Sequence, residues 1–136
     1  MKRVVGFLMC KIYGIEMGNN CYVGLSVIIR PGCRLFSQKR NGIKIKDCTE
    51  IGEYSTISAY NQIIIEEGVL TGPHVFISDH NHKYEDICLP VYQQGVAASS
   101  NSIVHIGSGS WLGTNSVVVG DVHIGKHCVI GANSVV

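Results

Sequence analysis

Ile106-Gly-Ser-Gly-Ser-Trp-Leu112-Gly-Thr-Asn-Ser-Val-Val118-Val-Gly-Asp-Val-His-Ile124-Gly-Lys-His-Cys-Val-Ile130-Gly-Ala-Asn-Ser-Val-Val136 closes the chain, and an aliphatic residue returns at every sixth position of it. Toward the N-terminus the same spacing links Met17, Val23, Ile29 and Leu35, then Ile45, Ile51 and Ile57. After a two-residue slip it resumes at Ile65, Thr71 and Ile77. Glycine follows the marked residue at Gly18, Gly24, Gly52, Gly72, Gly107, Gly113, Gly125 and Gly131. A small or branched residue stands four places after it, as at Cys21, Cys33, Thr49, Ser55, Val75, Ser110, Ser116 and Cys128. Helices repeat about every 3.6 residues and strands about every 2, so neither produces this clock. A repeating hexapeptide is the mark of a parallel β-helix solenoid.

Three hexapeptides make one triangular coil. The aliphatic residue points into the prism, and the small residue four later points inward beside a corner. The glycine is expected to supply backbone conformations that a Cβ penalises. About five coils are expected, beginning at Met17, Ile45, Ile65, Ile106 and Ile124. Residues 1–16 lack the repeat and are expected to cap the first coil, leaving 17–136 as the β-helix. Two segments interrupt the clock. Ser37–Ile43 has turn chemistry around Arg40-Asn41-Gly42. Ser78–Val104 is far longer and carries His80, His82, Tyr84, Glu85, Asp86 and Gln94-Gly95. Long excursions from a compact scaffold usually carry function. A solenoid needs a cap at each end. The clock stops at Val136 in mid-repeat, so either the chain continues or something else covers that end.

The chain has 136 residues, 46% hydrophobic and 15% charged, which is the composition of a core-forming domain. Its net charge of +1 includes no broad basic face, which argues against nucleic acid as a partner. No apolar run approaches the roughly 20 residues that span a bilayer. Cys21, Cys33 and Cys128 fall on inward small-residue positions, where a free thiol acts as a small hydrophobe. The cysteine spacings match no zinc motif. Reduced thiols and a cytoplasmic protein are expected.

Four strings carry a resemblance: Val75-Phe-Ile-Ser-Asp-His-Asn-His82; Leu89-Pro-Val with Gln94-Gly95; Ile106-Gly107 with Trp111-Leu-Gly113; and Val129-Ile-Gly-Ala-Asn-Ser-Val-Val136. Through them the chain resembles the hexapeptide-repeat acyltransferases, and within these the maltose/galactoside acetyltransferase-like group of sugar O-acetyltransferases from polysaccharide biosynthesis. The resemblance covers nearly all of the chain after residue 16. It implies an all-β, left-handed parallel β-helix with one long protruding loop. It also implies a homotrimer with sites between neighbours, acetyl-CoA as co-substrate and a sugar or glycan hydroxyl as acceptor. Members usually continue past the final Val-Val with a segment that helps hold the nucleotide end of coenzyme A.

Acetyl transfer from a thioester to a hydroxyl needs one proton removed at attack, and histidine suits that task near neutral pH. By the resemblance the base falls on His82, with His80, two residues earlier on the same loop, as the alternative. Solvated loop histidines are the plain reading of both. Thr114 and Ala132 are 18 residues apart and stack on one corner of adjacent coils. The resemblance gives them backbone contacts to the pantetheine arm. Trp111 precedes an inward leucine and so faces outward, as a cofactor contact or a subunit contact. A backbone N–H of the Ser108–Gly113 stretch is expected to meet the oxyanion. Asn61, Tyr60 and Tyr84 are candidate acceptor contacts. His105 and His123 are also 18 apart and outward. Their stacking raises a second reading, a zinc enzyme like the γ-class carbonic anhydrases, but that family's ligand spacing is not reproduced and no metal is expected. A third reading is a non-catalytic β-helix scaffold.

Overall fold

The computed structural model describes residues 14–136 apart from Asn19 and Ser100, so the expected N-terminal cap lies largely outside the described residues. The chain winds five times around a three-sided prism. The first face stacks Glu16–Met17, Arg34–Ser37, Thr56–Ala59, Phe76–Ser78 and Val117–Val119. The second stacks Cys21–Val23, Ile43–Ile45, Gln62–Ile65, Ile103–Ile106 and Val122–Ile124. The third stacks Ile28–Ile29, Glu50–Ile51, Leu70–Thr71, Trp111–Leu112 and Val129–Ile130. Every pairing within the three faces is parallel, and the clock sets the register: Met17, Leu35, Ile57, Ile77 and Val118 lie side by side. The number of coils is the one the spacing predicts, although Met17 lies on the first face and the other expected starts, Ile45, Ile65, Ile106 and Ile124, lie on the second.

The marked residues fill the prism. Leu35, Ile45, Ile51, Ile57, Ile65, Ile106, Leu112 and Val118 are all fully buried. Each such side chain contributes about 1.5–3 kcal/mol by leaving water. Thr71, the one polar marked residue, is also buried, and its hydroxyl accepts the Gly52 N–H at 2.9 Å. The inward small positions hold Cys33, Thr49, Ser55, Val69, Val75, Ser110 and Ser116, likewise buried.

The glycines that follow the marked residues do not supply unusual backbone angles, contrary to the expectation. Positive φ falls two residues later, at Ser26, Cys48, Tyr54, His74, Asn115, His127 and Asn133 among others. These residues turn the second and third corners, and their N–H groups bond to the neighbouring coil, as in Cys48 to Leu25 O at 3.1 Å and Asn133 to Thr114 O at 2.9 Å. The glycines answer a different constraint, the close approach of successive coils. A Cβ on Gly52 would lie 2.3 Å from the Gly72 carbonyl oxygen, and one on Gly107 would lie 2.5 Å from Gly125 backbone.

All three departures from the clock fall at one place, the corner between the first and second faces. The excursion after Ser37, the extra residues at Tyr60–Asn61 and the long loop 79–102 stack there on consecutive coils. The long loop folds back on itself through the antiparallel pair Asn81–His82 and Val96–Ala97, with one short helix at Val91–Gln94. Gln94 ties its interior, donating to the Asp86 and Leu89 carbonyls at 2.8 Å each. Among the described residues no helix is long and apolar enough to cross a membrane, and Cys21, Cys33, Cys48, Cys88 and Cys128 are free.

Candidate functional site

The stacked insertions need an anchor, because their backbone groups leave the ladder that satisfies the rest of the solenoid. Asp79 supplies it. Its buried carboxylate accepts the N–H groups of Tyr60, Asn61 and Gln62 at 2.6, 2.6 and 2.7 Å. The two-residue slip is thus a small backbone nest closed by a carboxylate, a charge-assisted arrangement stronger than neutral hydrogen bonds. Asn61 extends the anchor across all three insertions. Its amide nitrogen donates to Ser99 O at 2.7 Å and Ser102 Oγ at 3.0 Å, and its amide oxygen accepts from Lys39. Asn61 is only 7% exposed, so this candidate acceptor contact serves instead as the pin that holds the loop.

The same aspartate reaches a histidine. Asp79 Oδ1 lies 3.0 Å from His80 Nδ1, and Ser78 Oγ lies 3.1 Å from the same nitrogen. Tyr60 packs its ring against the imidazole at 5.9 Å between centroids. His80 is therefore held on three sides. His82 is exposed at the start of the loop hairpin, its position set by backbone pairing with Val96.

Both imidazoles line one open cavity of about 390 Å³ on the outer side of the first face. Its floor is the outward residues of three coils: Arg34 and Phe36, Thr56 and Ser58, Phe76 and Ser78, with Val119 beyond. Sequence reasoning passed over Arg34, Phe36, Thr56, Ser58 and Phe76. The signal was present, since Phe76 and Arg34 stand one place before a marked residue, as Trp111 does. Tyr84 is 69% exposed and lies off this cavity.

The remaining candidates lie elsewhere on the prism. Thr114 and Ala132 stack at the corner between the third and first faces, with Asn133 N–H donating to the Thr114 carbonyl. Among the described residues their own N–H groups donate to no protein acceptor, and each nitrogen packs close to a glycine of the preceding coil, Thr114 to Gly72 and Ala132 to Gly113. Trp111 faces outward from the third face, 48% exposed between Leu70 and Val129. The Ser108–Gly113 stretch is less available than expected: Gly109, Trp111 and Gly113 donate their N–H groups to Glu67, Cys128 and Ile130 carbonyls. On the second face His105 stacks on His123 at 4.6 Å, as their spacing predicts, and pairs through Nε2 with Glu66 at 3.0 Å. Lys46 meets the same carboxylate at 2.7 Å, and these partners, Lys46 first, hold Glu66 below the ordinary glutamate range. Among the described residues no group of three or more His, Cys, Asp or Glu is placed to hold a metal ion.

Comparison with known proteins meets this geometry. The bacterial transferase hexapeptide pattern (six repeats) matches residues 103–136. The C-terminal coils therefore carry the hexapeptide repeat of bacterial transferases, and most of the chain is similar to named acetyltransferases. The chain is 30% identical over 122 residues to "Probable acetyltransferase Rv3034c" of Mycobacterium tuberculosis, covering 90% of this chain and 37% of that protein. It is 35% identical over 126 residues to "Putative lipopolysaccharide biosynthesis O-acetyl transferase WbbJ" of Escherichia coli K12, covering 90% of this chain and 61% of that protein. The chain thus spans between about a third and two thirds of these relatives' lengths. No solved structure matches it significantly. Family and repeat together assign the solenoid to the left-handed parallel β-helix class.

Proposed function

We propose that this chain transfers an acetyl group from acetyl-CoA to a hydroxyl of a sugar or glycan, as a cytoplasmic homotrimer with His82 as the general base. The observation that carries the reading is the pair of imidazoles over one open cavity on a hexapeptide-repeat prism. The names of both relatives point the same way.

In the reaction the acceptor oxygen attacks the thioester carbonyl carbon while His82 takes the hydroxyl proton. The tetrahedral intermediate then collapses, the C–S bond breaks, and the departing sulfur receives that proton. The products are the O-acetyl ester and free coenzyme A. A positioned base contributes about 10²–10⁴-fold, and alignment of the two substrates supplies much of the rest. The backbone N–H groups of Thr114 and Ala132, without a protein acceptor among the described residues, suit the amides of an extended pantetheine arm. Trp111 lies on a different face from the histidine cavity, so a site that uses both draws them from two copies of the chain. That separation supports the trimer reading.

A second assignment of the base has its own observation. His80 carries the Asp79 and Ser78 contacts that orient an imidazole. Thiol release from acetyl-CoA, followed over a panel of sugars and glycosides, separates the two. His82→Ala is expected to lose about 10²-fold or more in kcat with coenzyme A binding retained. Full activity in His82→Ala with loss in His80→Ala transfers the role to His80. Neither turnover nor coenzyme A binding in the unaltered protein rejects the enzyme reading in favour of a scaffold.

A further inference from the structure

The cavity below the histidines has a chemical gradient that the transfer reaction does not require. At one end are His80 and His82. In the middle are the half-exposed rings of Phe36 and Phe76, 39% and 38% exposed. At the other end is Arg34, the one lining residue with a permanent positive charge. Arg34 and Phe76 stand in one outward column with Thr56 between them. Two strand spacings separate them, about 10 Å.

The arginine is held in place. Its Nε bonds Glu16 Oε2 at 3.1 Å, and its guanidinium carbon sits 5.3 Å from the centre of the Phe36 ring. Both partners of the ion pair are more than half exposed, so the pair itself contributes little to stability. With Nε engaged, the terminal nitrogens of the fork are left to a second oxyanion. A guanidinium fork matches phosphate and carboxylate geometry, where an ammonium offers only a point charge.

We infer that this groove takes an acidic acceptor: a sugar whose reacting hydroxyl lies at the histidines and whose phosphate or carboxylate lies at the far end of the groove against Arg34. The inference rests on the acetyltransferase reading and narrows its substrate class. The apolar face of the sugar ring would lie against Phe76 or Phe36 between the two ends. A neutral glycoside leaves the Arg34 end unused.

The test measures binding and turnover separately. Titration calorimetry at low salt compares the gluco, galacto and manno hexose 1-phosphates, the matching methyl glycosides, a methyl glucuronide and UDP-glucose. It uses unaltered protein, Arg34→Gln and Arg34→Lys. At least one anionic probe is expected to bind about ten- to a hundred-fold tighter than its neutral counterpart, the range of one charge-assisted contact. Arg34→Gln is expected to abolish that preference and Arg34→Lys to restore part of it. In the thiol-release assay Arg34→Gln raises KM for the anionic acceptor by a similar factor, with kcat held within about two-fold, and so narrows the gap between anionic and neutral acceptors. Thermal melting matched to the unaltered protein establishes that the variants fold. The hexose phosphate, nucleotide and glucuronide arms identify which anion the site prefers. Equal binding of neutral and anionic sugars, or a preference that survives Arg34→Gln, overturns the inference. Arg34-dependent binding without any acetyl transfer rejects the transferase reading and leaves the acidic-ligand groove standing. Transfer without Arg34 dependence does the reverse.

Discussion

Asp79→Asn changes one oxygen to an amide nitrogen and is expected to loosen the whole insertion corner. In the native arrangement Oδ1 serves the Tyr60 N–H and His80, while Oδ2 serves the N–H groups of Asn61 and Gln62. An asparagine has one acceptor oxygen, so in either orientation at least one of three backbone donors faces an NH2 group. A buried donor left unpaired costs about 1–3 kcal/mol, and the surviving bonds lose their charge assistance, a further 1 kcal/mol or so each. The expected destabilisation is about 3–5 kcal/mol, or roughly 10–20 °C in Tm for a chain of this size. Urea titration and thermal melting measure it. Because Asn61 pins Ser99 and Ser102, native-state trypsin cleavage at exposed Lys83 is also expected to accelerate well before global unfolding. A loss under about 1 kcal/mol together with unchanged cleavage at Lys83 would refute the assignment of Asp79 as the anchor.

Other changes probe the stacking and the charges. Gly52→Ala would place its Cβ 2.3 Å from the next coil's backbone and should cost about 3 kcal/mol or more, whereas Gly125→Ala, where the nearest atom is the Cys128 sulfur at 3.4 Å, should cost under about 1 kcal/mol. Comparable melting temperatures for the two would sink the close-approach account. Iodoacetamide at pH 7.5 should label exposed Cys48 and Cys88 and spare Cys33 and Cys21, whose thiol burial pushes up to about 11. Peptide mapping that finds Cys33 as reactive as Cys88 contradicts the packing. Glu66 is held low in the fold by Lys46 first and His105 as well, so its contribution is present above its unfolded value of about 4.3 and is lost as pH falls through the folded one. Lys46→Met should therefore lower stability at pH 7 by under about 1 kcal/mol, with the difference narrowing as pH falls below the unfolded glutamate value of about 4.3. A difference that stays constant as the carboxylates are titrated to full protonation refutes the pairing.

Much of this molecule was legible because a solenoid writes its core into the sequence as a period. Ile57, Ile77 and Val118 are neighbours in space, and their shared place in the clock predicts it. The stacking of His105 on His123 follows from the same arithmetic. Asn61 was misread because its chemistry depends on three insertions meeting, and a period carries no information about residues that leave it. The role of the glycines was misread for a related reason. Their constraint comes from the next coil, some 20 residues away in sequence, and local backbone preference does not see it. Arg34 and the two phenylalanines were readable in principle, since outward columns follow the same register as inward ones.

The concentration of every insertion at one corner has a mechanical cause. At the second and third corners each coil makes the same tight turn, with a left-handed residue bonded to the coil beside it, as at Cys48 with Leu25 and Asn115 with Pro73. Extra residues there would break a bond in two coils at once and force apart glycine contacts that leave no room for a methyl group. At the first corner the coil-to-coil backbone bonds differ from one coil to the next, as in Gln38 to Ala59 O and Gly120 to Ser78 O, so it accepts loops of different length at little expense to the core. Once loops accumulate on consecutive coils they shelter one another, and a single buried carboxylate suffices to fix them. Chemistry that needs polar side chains held rigidly beside open surface has that corner as its available position on the prism. The histidines stand there, and the face beneath them is the one whose outward column carries an arginine, paired with Glu16 of the first coil.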